Sequence, residues 1–297
     1  MVGLNYEIGG KKRRIHGMKK VITPLIILLL SGSCIDNKEL SESDYIEFGK
    51  QLCNELNHEV SPSKLKKYID ILPTFKLFQK VINDNKLSNY IDQSGYEFDA
   101  VGLENIFVSN LVKLSNTKGK YTFRKLFYDD TRPNILLQLD NQESKTFFEL
   151  ELVTKNGKVF VSDIYSYLTG ISIQDSFIFY ELDKINPKHI TGYHYDVYAS
   201  LESCVEYMKQ GRYKRAWDKF EGIPDEYKYR SNFQTFKMAL ALKMSDSLYV
   251  MSLSEWIEHM NDEGLKYYQS YQLHNFNGDF SKASLFLDSL EVVFSKY

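Results

Sequence analysis

The sequence is poor in the residues and patterns that mark the best-known chemical sites. Its 297 residues include three cysteines and six prolines, and its formal net charge is only −2. Basic and acidic residues are scattered rather than clustered, which excludes the electrostatic footprint of a nucleic-acid-binding protein. The chain also lacks a Gly-rich phosphate loop, a paired-cysteine motif and an ordered Ser, His and Asp set. We therefore expect no cofactor and no metal, and the sequence indicates no particular reaction.

Two histidines and an aspartate form the one group that invites a metal interpretation. His189 and His194 are five residues apart, and Asp196 follows closely. Two metal ligands on one helix face are usually four residues apart, so these two histidines would not share a face of a helix. We interpret these residues as ordinary hydrogen-bonding or surface positions. His259 and His274 fall within predicted helices, and we interpret them as packing positions.

The longest apolar run is too short to span a bilayer. Residues 21–30 are mostly apolar, but a spanning helix needs ~20 such residues. Lysines at 19–20 precede the run, and small residues at 31–33 lead to Cys34. A basic start, a short apolar core and small residues are typical of a secretory signal peptide. The segment that ends at Cys34 resembles the lipobox of bacterial lipoproteins, although Ser31 stands where a leucine is usual.

The lipobox resemblance implies that Cys34 becomes the mature N-terminus and carries acyl chains such as palmitate. More than one chain is expected, because a single acyl chain anchors a protein only marginally. The implied location is the cell envelope, and we favour the outer membrane, with its periplasmic or surface face left open. Residues 1–33 would be leader and signal peptide, and residues 34–44 a tether. Both Met1 and Met18 stay open as starts, and Met18 is favoured because two lysines follow it directly.

Residues 45–185 are predicted to form a first domain that begins with helices. Ser41 or Ser43 supplies an N-cap, and Ser61-Pro62 starts a second helix with proline in its first turn. The apolar positions at helical spacing in the first helix are Tyr45, Phe48, Leu52 and Leu56. The positions expected to be buried by a longer helix over 100–115 are Val101, Ile106, Phe107 and Leu111.

From residue 120 the apolar pattern changes from helical spacing to alternation. Strands are predicted at 120–128, 134–140, 146–155 and 158–168. The last two are joined by Asn156-Gly157, the strongest short hairpin signal. Counting outward from this turn pairs Leu152 with Val161, Leu150 with Asp163 and Phe148 with Tyr165. Glu149 and Glu151 then belong to the solvated side of their strand. Helices followed by an antiparallel meander predict an α+β layer, with helices on one face of the sheet.

This order of elements, together with the segment KNGKVFVSDIYSYLTG at 155–170, resembles the nuclear transport factor 2-like (cystatin-like cone) superfamily. The resemblance covers about 145 residues and implies an antiparallel-sheet cone with packed helices. In isomerases of that superfamily, a carboxylate inside the apolar cone acts as general base opposite a hydroxyl donor. Asp163 with Tyr165 or Tyr167 would form such a set. A hydrogen-bonded or solvated carboxylate at the cone mouth is the simpler interpretation of Asp163, because the fold hosts both enzymes and binding modules.

Residues 189–297 are predicted to be helical and to contain a repeat. Segments around Cys204 and Tyr271 share an order of aromatic, glycine, aromatic, alanine and large apolar residues, 67 residues apart. The equivalent glycines, Gly211 and Gly278, are expected to end a helix in a left-handed turn, and the equivalent alanines, Ala216 and Ala283, to let two helices approach closely. This pattern resembles two periods of the tetratricopeptide repeat, whose length is 34 residues. A degenerate middle copy is expected over 228–261, with Ser245 or Asp246 in place of the glycine. The array would hold about three repeats; a plain helical bundle is the alternative.

The two cysteines beyond the lipobox both fall on apolar stripes of predicted helices. Cys53 and Cys204 would be able to form a disulfide in an oxidising periplasm. Two separate buried thiols are favoured, because free cysteine behaves as a small buried hydrophobe.

Three functions of different classes fit this organisation. The first is a non-catalytic, membrane-anchored scaffold that holds another envelope protein on its helical repeats. The second is a ligand binder or isomerase-like enzyme that uses the cone and Asp163. The third is a glycan-uptake lipoprotein, for which only the abundance of aromatic residues, chiefly the 22 tyrosines, speaks. The scaffold is favoured because the last helix, over 280–294, has few charges and lacks the polar face of a capping helix. We expect a partner or a second copy to cover it.

Overall fold

The computed structural model describes residues 40–58, 61–84, 98–141, 144–184 and 192–296. All of these residues belong to one compact unit that begins at Leu40. The leader, Cys34 and the tether before Leu40 lie outside the described residues, as does His189. In the described part of the chain, no helix is both long and apolar enough to cross a membrane.

Three of the four described helices before the sheet begin where the sequence predicts them. The described helices of this region are α1 (Glu42–Leu56), α2 (Pro62–Lys66), α3 (Leu72–Asp84) and α4 (Ala100–Ser115). Ser41 is the N-cap of α1, and its backbone N–H donates to the Asp44 carboxylate at 2.7 Å, as in a capping box. Pro62 occupies the first turn of α2, where its missing N–H costs no helical hydrogen bond. The predicted N-terminal signals of both helices are confirmed.

The predicted buried side of α4 is only half correct. Phe107 and Leu111 are fully buried together with Leu103, at a spacing of four residues. Val101 is 68% exposed and Ile106 37% exposed, so their predicted burial is wrong. The helix is apolar around much of its circumference, and this leaves the direction of its core-facing stripe undecided at the level of sequence.

The predicted strands form a single antiparallel sheet. Its strands are β1 (Lys120–Asp129), β2 (Arg132–Asp140), β3 (Lys145–Lys155), β4 (Lys158–Ser166) and β5 (Ile171–Ser172), and each pairs with the next in chain order. The fourth strand ends two residues before its predicted end at 168. Asn156 and Gly157 both have positive φ, at 53° and 69°, as a two-residue type I′ hairpin turn requires. The α+β class is therefore confirmed.

A β-bulge in β4 changes the predicted register. Leu152 pairs with Val161 as predicted, but Ser162 is then an extra residue on its strand. Beyond the bulge, Glu151 pairs with Asp163, Leu150 with Ile164 and Phe148 with Ser166. The predicted pairs Leu150–Asp163 and Phe148–Tyr165 are therefore wrong. Because side chains alternate between the two faces of a sheet, one extra residue moves every later side chain of β4 to the opposite face.

Helices cover both faces of the sheet. The first face packs on α1 and α4 through a buried apolar cluster that includes Leu52, Phe107, Leu137, Leu150 and Val161. The second face packs on the last two helices through Phe127, Leu136, Phe147, Tyr167, Tyr268, Leu290 and Phe294. The sheet is thus the middle layer between two helical layers, and the prediction of helices on only one of its faces is wrong.

Beyond the sheet the described chain is entirely helical. Its helices are α5 (Ile173–Lys184), α6 (Gly192–Lys209), α7 (Tyr213–Glu221), α8 (Asp225–Lys228), α9 (Ser231–Met244), α10 (Asp246–Glu258), α11 (Glu263–Phe276) and α12 (Phe280–Ser295). Gly211 and Gly278 end α6 and α11 with positive φ, at 71° and 74°, as predicted for both glycines. Ser245 separates α9 from α10, and its side chain accepts a hydrogen bond from the Leu248 N–H. The tetratricopeptide arrangement of these pairs stays a prediction.

Small side chains lie at the predicted close approaches. Ala216 is fully buried in a cluster with Cys204 and Phe220, and Ala283 is buried in the second-face cluster. Cys53 and Cys204 are both free and buried, which confirms two separate thiols.

Candidate functional sites on the two faces of the sheet

Asp163 lies on the second face of the sheet, away from the apolar first face where an isomerase-like base was predicted. Val161 and Ile164 belong to the first-face cluster, whereas Asp163 pairs with Glu151 after the bulge. The Asp163 Oδ1 accepts hydrogen bonds from the backbone N–H of Ile164 at 2.7 Å and of Gln174 at 2.9 Å. Burial raises the pKa of Asp163 to about 6, although these hydrogen bonds favour its ionised form.

An acidic cleft surrounds Asp163. It has a volume of about 280 Å³, and Tyr165 lines it together with the acidic residues Asp129, Glu149, Glu151 and Asp175. Arg132 also lines the cleft, but its guanidinium pairs with Glu151 at 2.5 Å and with Asp129 at 2.7 Å. The structure therefore brings two of the predicted site residues, Asp163 and Tyr165, to one cleft, and that cleft is polar.

Tyr167 is held between the sheet and the C-terminal helices. Its hydroxyl donates a hydrogen bond to Glu149, and its ring packs edge-on against Tyr268 and Phe294 at centroid distances of 6.1 and 5.4 Å. Burial raises the pKa of Glu149 and that of Tyr167. The interpretation of Glu149 as a solvated strand residue is therefore wrong, since α11 and α12 cover this part of the second face.

These contacts do not assemble a general base and a donor around a shared apolar space. The Tyr167 hydroxyl is committed to Glu149, and one oxygen of Asp163 is committed to two backbone N–H groups. A base and an oxyanion donor must both reach the reacting group of one bound substrate. The second face instead resembles a hydrogen-bonded interface between a sheet and helices.

The first face contains a separate cavity of about 390 Å³ beside α4, β4 and α5. The apolar side chains that line it include Ile106, Phe148, Ile164 and Phe177. Lys113 is the one charged side chain among its described lining residues, and no carboxylate is among them. The predicted base, Asp163, is thus absent from the described lining of this first-face cavity.

An ionic network within the helices escaped the sequence interpretation. Lys237 is only 2% exposed, and its ammonium pairs with Glu255 at 2.8 Å and with Glu221 at 3.5 Å. The Tyr229 hydroxyl donates to the same Glu255 at 2.7 Å. A buried lysine needs such partners, because an isolated charge is costly to bury. The signal in the sequence was a lysine on the buried stripe of α9, four residues after Phe233.

Two histidines stack on aromatic rings, but His259 is an exposed C-cap just after α10, so its prediction as a packing position within a helix is wrong. His259 stacks on Tyr229 at a centroid distance of 3.7 Å, and His274 stacks on Phe286 at 5.3 Å. His194 and Asp196 lie in α6. Among the residues that the structure describes, no group of three or more His, Cys, Asp or Glu residues is arranged to hold a metal ion.

The C-terminal helices leave large apolar side chains in solvent. The exposed ones on α9 to α12 are Leu242, Met251, Phe276, Phe280, Leu285 and Val292. Phe280 and Leu285 on α12 are 69% and 64% exposed, while Leu290 and Phe294 of the same helix are buried against the second face. Other exposed positions of the last helix are polar, including Ser281, Lys282, Ser284 and Asp288, so its free side is mixed and carries single large apolar residues.

Comparisons with protein-family models, with curated proteins and with solved structures find no match to this chain.

Proposed function

We propose that the protein is a lipid-anchored lipoprotein of the cell envelope that acts as a non-catalytic scaffold for another envelope protein. The observation that carries the proposal is the exposure of two large apolar side chains on α12, since Phe280 and Leu285 lie largely in solvent. Aromatic and large apolar residues are enriched at the centres of protein interfaces. A partner that buried these two side chains would remove apolar area that the fold itself leaves exposed.

The helix pairs support a tetratricopeptide-like array as the binding element. Three consecutive pairs are present, α6 with α7, α9 with α10 and α11 with α12. The glycines that end α6 and α11 and the buried alanines of α7 and α12 hold equivalent positions in two of the pairs. In such arrays each pair contacts its neighbours and the stack offers an extended surface to a protein ligand. We further propose a cone-type arrangement for the sheet and α1 to α4, by resemblance.

The anchor is proposed from the segment that ends at Cys34. Acyl chains on Cys34 would hold the protein at the outer membrane, and the lipid bilayer would be its second partner. Leu40, the first described residue, follows Cys34 by six positions, so an extended tether reaches at most about 20 Å. The scaffold would therefore act close to the membrane surface.

The anchor is tested with Cys34→Ala in intact cells. The parent chain should incorporate a labelled fatty acid and remain with membranes, and its mature N-terminal peptide should carry acyl groups by mass spectrometry. Cys34→Ala should lose the label and either appear in the soluble fraction or stay unprocessed. A mature parent protein without lipid would contradict the anchor.

The partner surface is tested by photo-crosslinking in the same cells. A crosslinking residue at Phe280 should capture one defined envelope protein, and Leu285→Glu should reduce the yield strongly because it places a charge in the buried contact. Lys80→Glu on α3, also an exposed position, is the matched control and should leave the yield unchanged. Equal yields from both variants, or no specific product, would contradict the scaffold.

The described contacts support the isomerase-like alternative less well, although Asp163 and Tyr165 line the same acidic cleft. Its proposed base, Asp163, lies across the sheet from the first-face cavity. Asp163→Asn should therefore leave partner capture and the phenotype of the cell unchanged.

A further inference from the structure

The cavity on the first face has the size and the lining of a small-molecule site. Its volume of about 390 Å³ lies within the range of about 300–1,000 Å³ that is usual for ligand pockets. The apolar side chains that line it come from helices and strands and include Ile106, Leu114, Phe148, Ile164, Ile171 and Phe177. Such a lining favours an apolar body in the ligand.

One face of α4 is turned toward this cavity. Ile106, Asn110, Lys113 and Leu114 all line it, and their spacings of four, seven and eight residues place them on one side of a helix. This arrangement explains why Ile106 is 37% exposed although it is apolar, since it borders an open space rather than the packed core.

The polar side chains of the wall are mostly committed to the protein. The Asn110 amide donates to the Ile106 carbonyl at 2.8 Å, and the Ser176 hydroxyl donates to the Ser172 carbonyl at 2.8 Å. The Ser172 hydroxyl accepts from the Asp175 backbone N–H at 2.9 Å. Part of the hydrogen-bonding capacity of these groups is therefore used within the protein.

Lys113 is different, because its ammonium pairs with no group of the described residues. No acidic side chain is among the described residues that line the cavity, so nothing in this lining neutralises the ammonium. An apolar cavity with a single unpaired cation is complementary to a ligand with an apolar body and one negative charge.

We infer that this cavity binds a small, single-chain fatty carboxylate, with its chain over Phe148 and Ile164 and its carboxylate at Lys113. The site is distinct from the exposed side of α12 and does not depend on the scaffold function. The carboxylate forms a charge-assisted hydrogen bond with the ammonium, and the chain replaces water along the apolar wall.

The test is calorimetric titration of the full chain carrying Cys34→Ala, in buffer without detergent. Three probes of equal chain length differ only in charge: decanoate, decanol and decyltrimethylammonium. Decanoate should bind about fivefold more tightly than decanol, the size of one partly exposed ion pair, and the cationic probe should bind most weakly. Equal affinities for decanoate and decanol would overturn the role of the charge.

Two variants and one control locate the site. Lys113→Met should abolish the preference for decanoate while leaving decanol binding unchanged. Lys118→Met, at an exposed position five residues further along the chain, should bind all three probes like the parent. Ser166→Phe fills the cavity from β4 and should remove binding of every probe without loss of the native circular dichroism spectrum. Absence of binding by the parent, or parent-like binding by both Lys113→Met and Ser166→Phe, would overturn the inference.

Discussion

Asp163 illustrates how a single extra residue in a strand determines the environment of a carboxylate. Ser162 forms the bulge in β4, and its hydroxyl donates to the Glu151 carboxylate at 3.1 Å. Asp163 is consequently turned toward the acidic cleft, where burial raises its pKa to about 6 from an ordinary 3.8. Burial therefore destabilises the ionised form of Asp163 in the folded protein, and this makes the free energy of unfolding depend on pH.

Asp163→Asn should remove this pH dependence. Because the pKa of Asp163 is higher in the folded than in the unfolded protein, its protonation adds to the free energy of unfolding. This contribution is complete below pH 3.8 and is lost as the pH rises through about 6. The difference corresponds to about 3 kcal/mol at 1.36 kcal/mol per pKa step. Asparagine keeps an acceptor for both backbone N–H groups but does not titrate. Between pH 4 and 8, the free energy of unfolding of the Asp163→Asn variant, measured by urea unfolding, should therefore fall less than that of the parent.

Asp288→Asn is the control for this measurement. Asp288 is exposed on α12, and the variant should follow the pH dependence of the parent. If Asp163→Asn also followed the parent over the whole pH range, the assignment of a buried, costly carboxylate to position 163 would be wrong.

The bulge also marks the limit of prediction at the level of single residues. The turn at Asn156-Gly157 was predicted because both residues accept positive φ, and Leu152–Val161 followed by counting. Ser162 offers no such signal, since a serine fits a polar position in any alternating strand. The candidate site was therefore predicted with the correct residue types, Asp163 and Tyr165, but on the wrong face of the sheet.

At the scale of elements, strands were easier to predict than the buried side of a helix. Alternation and the hairpin turn predicted four strands, and every predicted end lies within two residues of the observed one. In α4 the apolar residues surround much of the helix, so Val101 and Ile106 had the same composition signal as the buried Phe107. Only the position of neighbouring elements decides which side is packed, and periodicity in one helix does not contain that information.

Ala216→Arg tests the close packing of the α6–α7 pair. Ala216 is fully buried beside Cys204 and Phe220, so arginine would overpack the contact and bury a charge. Overpacking alone usually costs ~1–3 kcal/mol, and desolvation of the charge raises the total to several kcal/mol. Labelling of the Cys204 thiol in a Cys34→Ala background should then occur at lower urea than in the parent.

Asp218→Arg is the matched control, because it introduces arginine on the same helix at an exposed position. Loss of its ion pair with Lys214 should change stability by about 0.5 kcal/mol or less. Equal Cys204 labelling in Ala216→Arg and Asp218→Arg would mean that α6 and α7 do not pack through Ala216.

At the scale of the whole molecule, the sheet is completed by the last helices of the chain. The Tyr271 hydroxyl accepts from the Lys145 backbone N–H at 3.0 Å, and the Gln269 amide donates to the Tyr167 carbonyl at 2.9 Å. These polar contacts accompany the apolar second-face cluster. A deletion of residues 189–297 would therefore expose an apolar sheet face as well as remove the proposed partner surface, so point variants are the sharper tests.

A signal for this second helical layer was present in β2. Ile135, Leu136 and Leu137 are three consecutive apolar residues, whereas a strand with one solvated face alternates apolar and polar residues. All three are buried, with Ile135 and Leu137 on the first face and Leu136 on the second. The run indicated burial on both faces, but it did not identify which distant segment supplies the cover.

Phe294→Ala should test whether the sheet depends on α12 for its stability. The Phe294 ring lies 5.2 Å from the ring of Phe147, and truncation of a buried aromatic residue costs about 3–5 kcal/mol. Cys53 reports on the first-face core, where burial raises the pKa of its thiol to about 12 and protects it from labelling. In the Cys34→Ala background, Phe294→Ala should therefore expose Cys53 to labelling at clearly lower urea than the parent.

Val292→Ala, which truncates an exposed neighbour on the same helix, should leave the Cys53 midpoint unchanged. If Phe294→Ala shifted the labelling of Cys204 alone, the sheet would be stable without its second helical layer. If both cysteines shifted together, the contact between α12 and the sheet would be part of one cooperative structure, which the shared apolar cluster on the second face predicts.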